Sequence, residues 1–84
     1  MTSVIVKVAY FALARELTGV SEEEIRLDDP ANTKHLVAEI MTAHPKLRGI
    51  REIIRTIVNG QVVLDSVELN DEDRVALLPA VGGG

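Results

Sequence analysis

Val4, Val6 and Val8 alternate with Ile5, Lys7 and Ala9, a period-two pattern whose β-branched residues predict a strand. The nearly apolar alternate face points to a strand covered on both sides, or nearly so. From Phe11 the spacing changes. Phe11, Leu13, Ala14 and Leu17 take helical intervals, and Gly19 follows as a stop. Glu24, Arg26 and Asp28 then alternate with Ile25 and Leu27, predicting a half-exposed second strand that Asp29-Pro30 ends. The clearest element comes next. Thr33 is the expected N-cap, Leu36, Val37, Ile40 and Met41 form one apolar stripe, and Pro45 closes the helix. Leu47, Ile50 and Ile53 or Ile54 suggest a further turn or two of helix, which Gly49 disfavours. Ile54 to Val58 reads as a strand, Asn59-Gly60 as a two-residue hairpin turn, and Gln61 to Leu64 as the return. Asp71-Glu72-Asp73 makes a polar turn before a last strand, Arg74 to Leu78, that stops at Pro79.

The predicted order is strand, short helix, strand, main helix, strand, hairpin return, strand. A helix with one apolar stripe must bury it, and the available partner is one face of the sheet. This predicts a two-layer α+β fold: a mixed sheet packed on one main helix, with residues 1–78 forming the domain and 79–84 a flexible tail. The last strand can lie beside the first, though the pattern alone does not specify that pairing.

Composition removes many functions. The chain has 84 residues, no cysteine, no tryptophan, one tyrosine and one phenylalanine. Without thiols there is no disulfide framework, no zinc–thiolate or iron–sulfur site, and no side-chain sulfur nucleophile. Two aromatics make a poor base-stacking platform. The longest apolar run, Val4 to Ala14, is interrupted by Lys7 and falls short of the roughly 20 residues a bilayer-spanning helix needs. Ala12-Leu13-Ala14 mimics an export cleavage site, but no basic segment precedes it. A cytoplasmic protein without membrane or nucleic-acid partners is expected.

The net charge of −4 is unevenly distributed. Residues 21–29 and 65–74 each hold five acids against one arginine, whereas residues 33–55 carry Lys34, Lys46, Arg48, Arg51 and Arg55 against Glu39 and Glu52. This pattern fits either a mixed solvated surface or an acidic patch facing a basic partner.

No active site assembles from the side chains. His35 and His44 have no carboxylate or thiol at ligand spacing, so no metal site is expected. His44 suits the negative end of the main helix. No serine has a neighbouring base, and no phosphate loop is present. The Glu22-Glu23-Glu24 and Asp71-Glu72-Asp73 runs are expected in exposed, turn-like segments where nothing shifts a pKa.

What remains is Leu77-Leu78-Pro79-Ala80-Val81-Gly82-Gly83-Gly84. Glycines lack Cβ, so such a tail can thread a narrow tunnel, and its last carbonyl carbon is open to attack. A terminal carboxylate is ionised at neutral pH and is a poor electrophile. As a nucleophile toward the α-phosphorus of ATP it becomes an acyl-adenylate, from which a sulfur donor can displace AMP. A cysteine-free chain that carries sulfur must hold it as a thiocarboxylate.

These residues carry a family resemblance that spans essentially the whole chain. The tail resembles the Pro-Pro-Val-x-Gly-Gly ending of the β-grasp sulfur carriers, specifically the MoaD-type small subunit of molybdopterin synthase. Val58-Asn59-Gly60, Leu69 and Asp71-Glu72-Asp73-Arg74-Val75-Ala76 resemble the family's hairpin and its L-x-D-G-D-E-V-A approach to the last strand. Tyr10-Phe11-Ala12 with Arg15-Glu16-Leu17-Thr18-Gly19 is similar to its F-A-x-x-R-E-x-x-G. Ala80 replaces a second proline, Gly82 adds a third glycine, and Leu77-Leu78 stand where many members have Phe-Phe.

The resemblance implies a β-grasp, ubiquitin-like fold and a carrier in molybdenum cofactor biosynthesis. Gly84 would be adenylated and then thiocarboxylated by an E1-like adenylyltransferase that uses Mg-ATP, with a sulfurtransferase as sulfur source. Gly83 supplies clearance, and Pro79, Ala80, Val81 and Gly82 form the leash. The loaded tail would enter the large synthase subunit, in a heterotetramer, and give sulfur to a pyranopterin precursor. Catalytic side chains would belong to the partners, and no cofactor stays bound. Leu64, Val75, Leu77 and Phe11 are the candidates for an exposed docking face. The same tail chemistry also serves carriers for thiamine, cysteine or tRNA thiolation, and ubiquitin-like protein modifiers.

Overall fold

The structure is a computed structural model that describes residues 3–80. Five strands, β1 (Ser3–Tyr10), β2 (Glu22–Asp28), β3 (Ile54–Val58), β4 (Gln61–Val63) and β5 (Arg74–Pro79), form one sheet in the order β2-β1-β5-β3-β4. Only β1 and β5 run parallel, with Val8 opposite Val75 and Tyr10 opposite Leu77; the other three pairings are antiparallel. The last strand therefore lies beside the first, in the middle of the sheet.

Helix α1 (Ala12–Thr18) follows β1, and α2 (Thr33–Ala43) crosses between β2 and a 3₁₀ helix, Pro45–Ile53. Gly19 ends α1 in the left-handed region (φ 79°) and returns its N–H to the Arg15 carbonyl. The N-cap of α2 is Asn32 rather than Thr33: its side chain accepts the His35 N–H, while Thr33 is buried and its hydroxyl accepts the Val67 N–H. The segment around Gly49 adopts the tighter 3₁₀ form, which needs no strong helix former.

One sheet face and the helices enclose the core. Val6, Val8 and Tyr10 from β1, Leu27 from β2, and Val75 and Leu77 from β5 meet Leu36, Ile40 and Met41 of α2. Ala14, Leu47 and Leu69 close its ends. Burial of side chains the size of Leu36 or Ile40 contributes about 1.5–3 kcal/mol each. Among the described residues nothing packs over the opposite sheet face. β1 is consequently buried on one side only, since Ile5 and Lys7 are exposed and Ala9 half-buried.

The hairpin and the turn before β5 lock together. Asn59 (φ 48°) and Gly60 (φ 85°) take the left-handed conformations that a tight two-residue turn requires. The Asn59 side chain donates to Asp73 at 3.0 Å and accepts the Arg74 N–H at 2.9 Å. Glu72 N–H reaches the Ile5 carbonyl, and the Ile5 N–H reaches Asp71 Oδ1, both at 2.8 Å. Asp71-Glu72-Asp73 is thus a structural clasp that sets the start of β5.

Candidate functional site: the root of the C-terminal tail and the open sheet face

β5 delivers the chain's end from the centre of the sheet. On one side Phe11 N–H donates to the Leu77 carbonyl at 3.2 Å. On the other, Pro79 pairs with Ile54, and Ala80 N–H donates to the Ile53 carbonyl at 2.6 Å. Pro79 has no N–H to offer the ladder, and the final strand position tolerates that lack. Pro79 is buried, so the folded unit takes in Pro79 and Ala80 keeps a backbone tether, one residue beyond the boundary that the sequence suggests. Val81, Gly82, Gly83 and Gly84 lie outside the described residues.

Alternation decides which side chains surround this root. Val75 and Leu77 point inward and are 1% and 0% exposed, so the expectation that they form a docking face is corrected: they are core. Leu78 (40% exposed), Ala76, Ile57 and Ala9 occupy the open side instead. Ala9, Ala76, Ile57 and Val62 stand directly opposite one another across β1, β5, β3 and β4, forming one apolar row. The two alanines leave a shallow hollow at its centre, which Phe11, Lys7 and Arg74 also line. Phe11 is 46% exposed and sits at the tail end of this face. Leu64 is 87% exposed but follows β4 and lines a different hollow, on the side of α2.

Both chain faces being apolar, the pattern of β5 does not reveal which parity meets α2. The missed signal is Pro79, an apolar residue two after Leu77 and four after Val75, which continues their inward series.

Glu23 also departs from expectation. It lies in β2, half-buried, not in an exposed turn. Its Oε2 accepts the Tyr10 hydroxyl at 2.5 Å and the His44 Nε2–H at 2.6 Å, and the Tyr10 and His44 rings meet edge to face. Burial pushes the carboxyl's pKa up, but the Tyr10 and His44 hydrogen bonds and the His44 charge outweigh it and hold the group below its ordinary value. Burial, then the bond and charge of Glu23, push the Tyr10 phenol well above its usual range. His35 is simpler: its ring bonds the Pro30 carbonyl and lies 3.5 Å from Glu39. Among the described residues no three potential ligands gather to hold a metal, and no helix is long and apolar enough to cross a membrane.

A mixed sheet wrapped on one long helix, with a central C-terminal strand leading into a glycine tail, defines the β-grasp, ubiquitin-like class. Residues 8–84 match the model of the ThiS family, and the chain belongs to that family. It is 40% identical over 81 residues to the molybdopterin synthase sulfur carrier subunit of Chlamydomonas reinhardtii, covering 94% of this chain and 98% of that one. The putative molybdopterin converting factor subunit 1 of Pyrococcus furiosus superposes with a TM-score of 0.84 at 38% identity, covering 93% of this chain and 99% of that one. The fold also recurs, with a TM-score of 0.70 and 23% identity over 96% of this chain and 100% of that one, in a complex of subunits 1 and 2 of the molybdopterin-converting factor from Helicobacter pylori.

Proposed function

We propose that this protein is the sulfur carrier of molybdopterin synthesis, with the Gly84 carboxylate as its reacting group. The observation that carries the reading is near-full-length similarity to a molybdopterin synthase sulfur carrier subunit, in a chain whose C-terminal strand is central and clamped. A carboxylate oxygen of Gly84 attacks the α-phosphorus of ATP, releasing pyrophosphate and leaving an acyl-adenylate. The terminal sulfur of a sulfurtransferase persulfide attacks the carbonyl carbon and AMP leaves; a thiol of the sulfur-delivering enzyme then attacks the other sulfur of the resulting acyl disulfide, forming a disulfide there and freeing the thiocarboxylate. In the synthase, that sulfur passes to the pyranopterin precursor, and water returns the carboxylate.

The protein supplies presentation. Backbone bonds from Phe11 and to Ile53 hold the root at a defined place, which lowers the cost of presenting the chain beyond it to a partner. The open row of Ala9, Ala76, Ile57 and Val62, with Phe11 and Leu78, is the face that docks on the large synthase subunit and, in turn, on the E1-like adenylyltransferase. Because the same face and tail serve both, the two partners exclude each other.

Intact-mass measurement of the chain, produced with and without the adenylating enzyme, tests this reading. Exchange of one oxygen for sulfur at Gly84, and loss of molybdoenzyme activity on deletion of Gly84, are expected. Stable higher-mass conjugates through lysine would identify a protein modifier instead.

A further inference from the structure

Lys34, Arg48 and Arg51 lie on the helical side of the molecule, away from the open sheet face. Lys34, Val37 and Met41 fall on one stripe of α2. Arg48 and Arg51 are three apart on the 3₁₀ helix, where such residues eclipse one another. The two elements enclose one hollow, lined by Met41, Arg48 and Arg51. A second, adjoining hollow shares Arg51 and lies between α2 and the β3–β4 end of the sheet, lined by Lys34, Val37, Thr56, Val63 and Leu64. Among the described residues none of the three cations forms an ion pair, and Asp65 is the single carboxylate that lines either hollow. Leu64, the most exposed large hydrophobic residue among the described ones, stands at the edge.

Three unpaired cations around a partly apolar floor make a groove complementary to a segment that combines carboxylates with an apolar anchor. A nucleic-acid backbone fits less well, because the chain's 13 acidic residues, Asp65 of the groove among them, outnumber its 9 basic ones and repel it.

We propose that the groove these two hollows form along α2 is a second docking site, and that its occupant is an acidic, amphipathic segment of a partner protein. Leu64 and Val37 receive the apolar anchor, while Lys34, Arg48 and Arg51 receive its carboxylates. The site does not depend on the tail chemistry. It lies on the opposite side of the sheet from Ala9, Ala76 and Ile57, so it can be occupied while that face is engaged.

The test is an amide chemical-shift titration of the full 84-residue chain with a synthetic peptide carrying leucines on one helical face and glutamates beside them. Shifts should concentrate at Val37, Met41, Arg51 and Leu64, and affinity should fall as salt is raised. The double variant Lys34→Glu/Arg51→Glu, with an unchanged thermal midpoint, should bind at least about tenfold more weakly, as expected from losing two exposed pairs and adding like-charge repulsion. Leu64→Ser should weaken binding without altering its salt dependence. Absence of binding, equal binding by the lysine-for-glutamate peptide, unchanged affinity of the double variant, or shifts centred on Ala9 and Ala76 would each overturn the proposal. Tighter binding of an oligonucleotide at the same amides would overturn it in favour of nucleic acid.

Discussion

His44 Nε2 lies 2.6 Å from Glu23 Oε2, joining the end of the main helix to an edge strand. Since an ionised carboxylate only accepts, His44 must carry hydrogen on Nε2, and the Tyr10 hydroxyl must donate to the same oxygen. Glu23 thereby ties together the end of β1, the start of β2 and the entry to the 3₁₀ helix. That helix ends at Ile53, whose carbonyl holds Ala80.

Replacing Glu23 by alanine leaves the buried Tyr10 hydroxyl without this acceptor. A loss of about 1–3 kcal/mol in urea unfolding at neutral pH is expected. Tyr10→Phe removes the donor but keeps the His44–Glu23 bond, and should cost about 0.5–1.5 kcal/mol.

The pH dependence has a definite sign. Glu23 has a folded pKa below its unfolded one, so the unfolded chain binds more protons. Its contribution is fully present above the unfolded value of about 4.3 and is lost as pH falls through the folded value. Between pH 5 and pH 3 the wild-type chain should lose stability more steeply than Glu23→Gln. Parallel curves from urea melts across that range would show that Glu23 is not differentially ionised.

Leu77 and Leu78 are adjacent yet separable. Leu77→Ala opens the core and should cost about 2–5 kcal/mol, whereas Leu78→Ala should change stability by no more than about 0.5 kcal/mol. The reverse order is expected for binding to the large synthase subunit, measured by calorimetry: Leu78→Ala weakens it, and Leu77→Ala, below its melting temperature, changes it little.

Glu72 holds φ 67° in the clasp that starts β5, a conformation costly to a residue with Cβ. The related carriers' pattern has glycine at this place. Glu72→Gly keeps the N–H bond to Ile5 and should raise stability by about 1 kcal/mol, seen as a higher midpoint in thermal melts. A lower midpoint would mean that the flexibility added to the unfolded chain outweighs the relieved strain.

Local patterns were enough for much of the fold. The valine alternation of β1, the stripe of α2 and the Asn59-Gly60 turn each depend on neighbours a few residues apart, and all three appear where the pattern puts them. The glycine ending, too, is chemistry contained in consecutive residues. Other features were decided only by packing. The inward parity of Val75 and Leu77 depends on which side α2 covers, and both sides of β5 are apolar. The Tyr10–Glu23–His44 cluster joins residues up to 34 positions apart, a separation that no window along the chain brings together. Leu64 and Phe11 read alike as exposed hydrophobes but end on different surfaces, because the chain leaves the sheet after Val63. The sequence by itself thus determined the elements, which follow from local propensity. Tertiary structure decided which residues face outward and what surrounds Glu23, because burial and long-range hydrogen bonding exist only once the strands have paired.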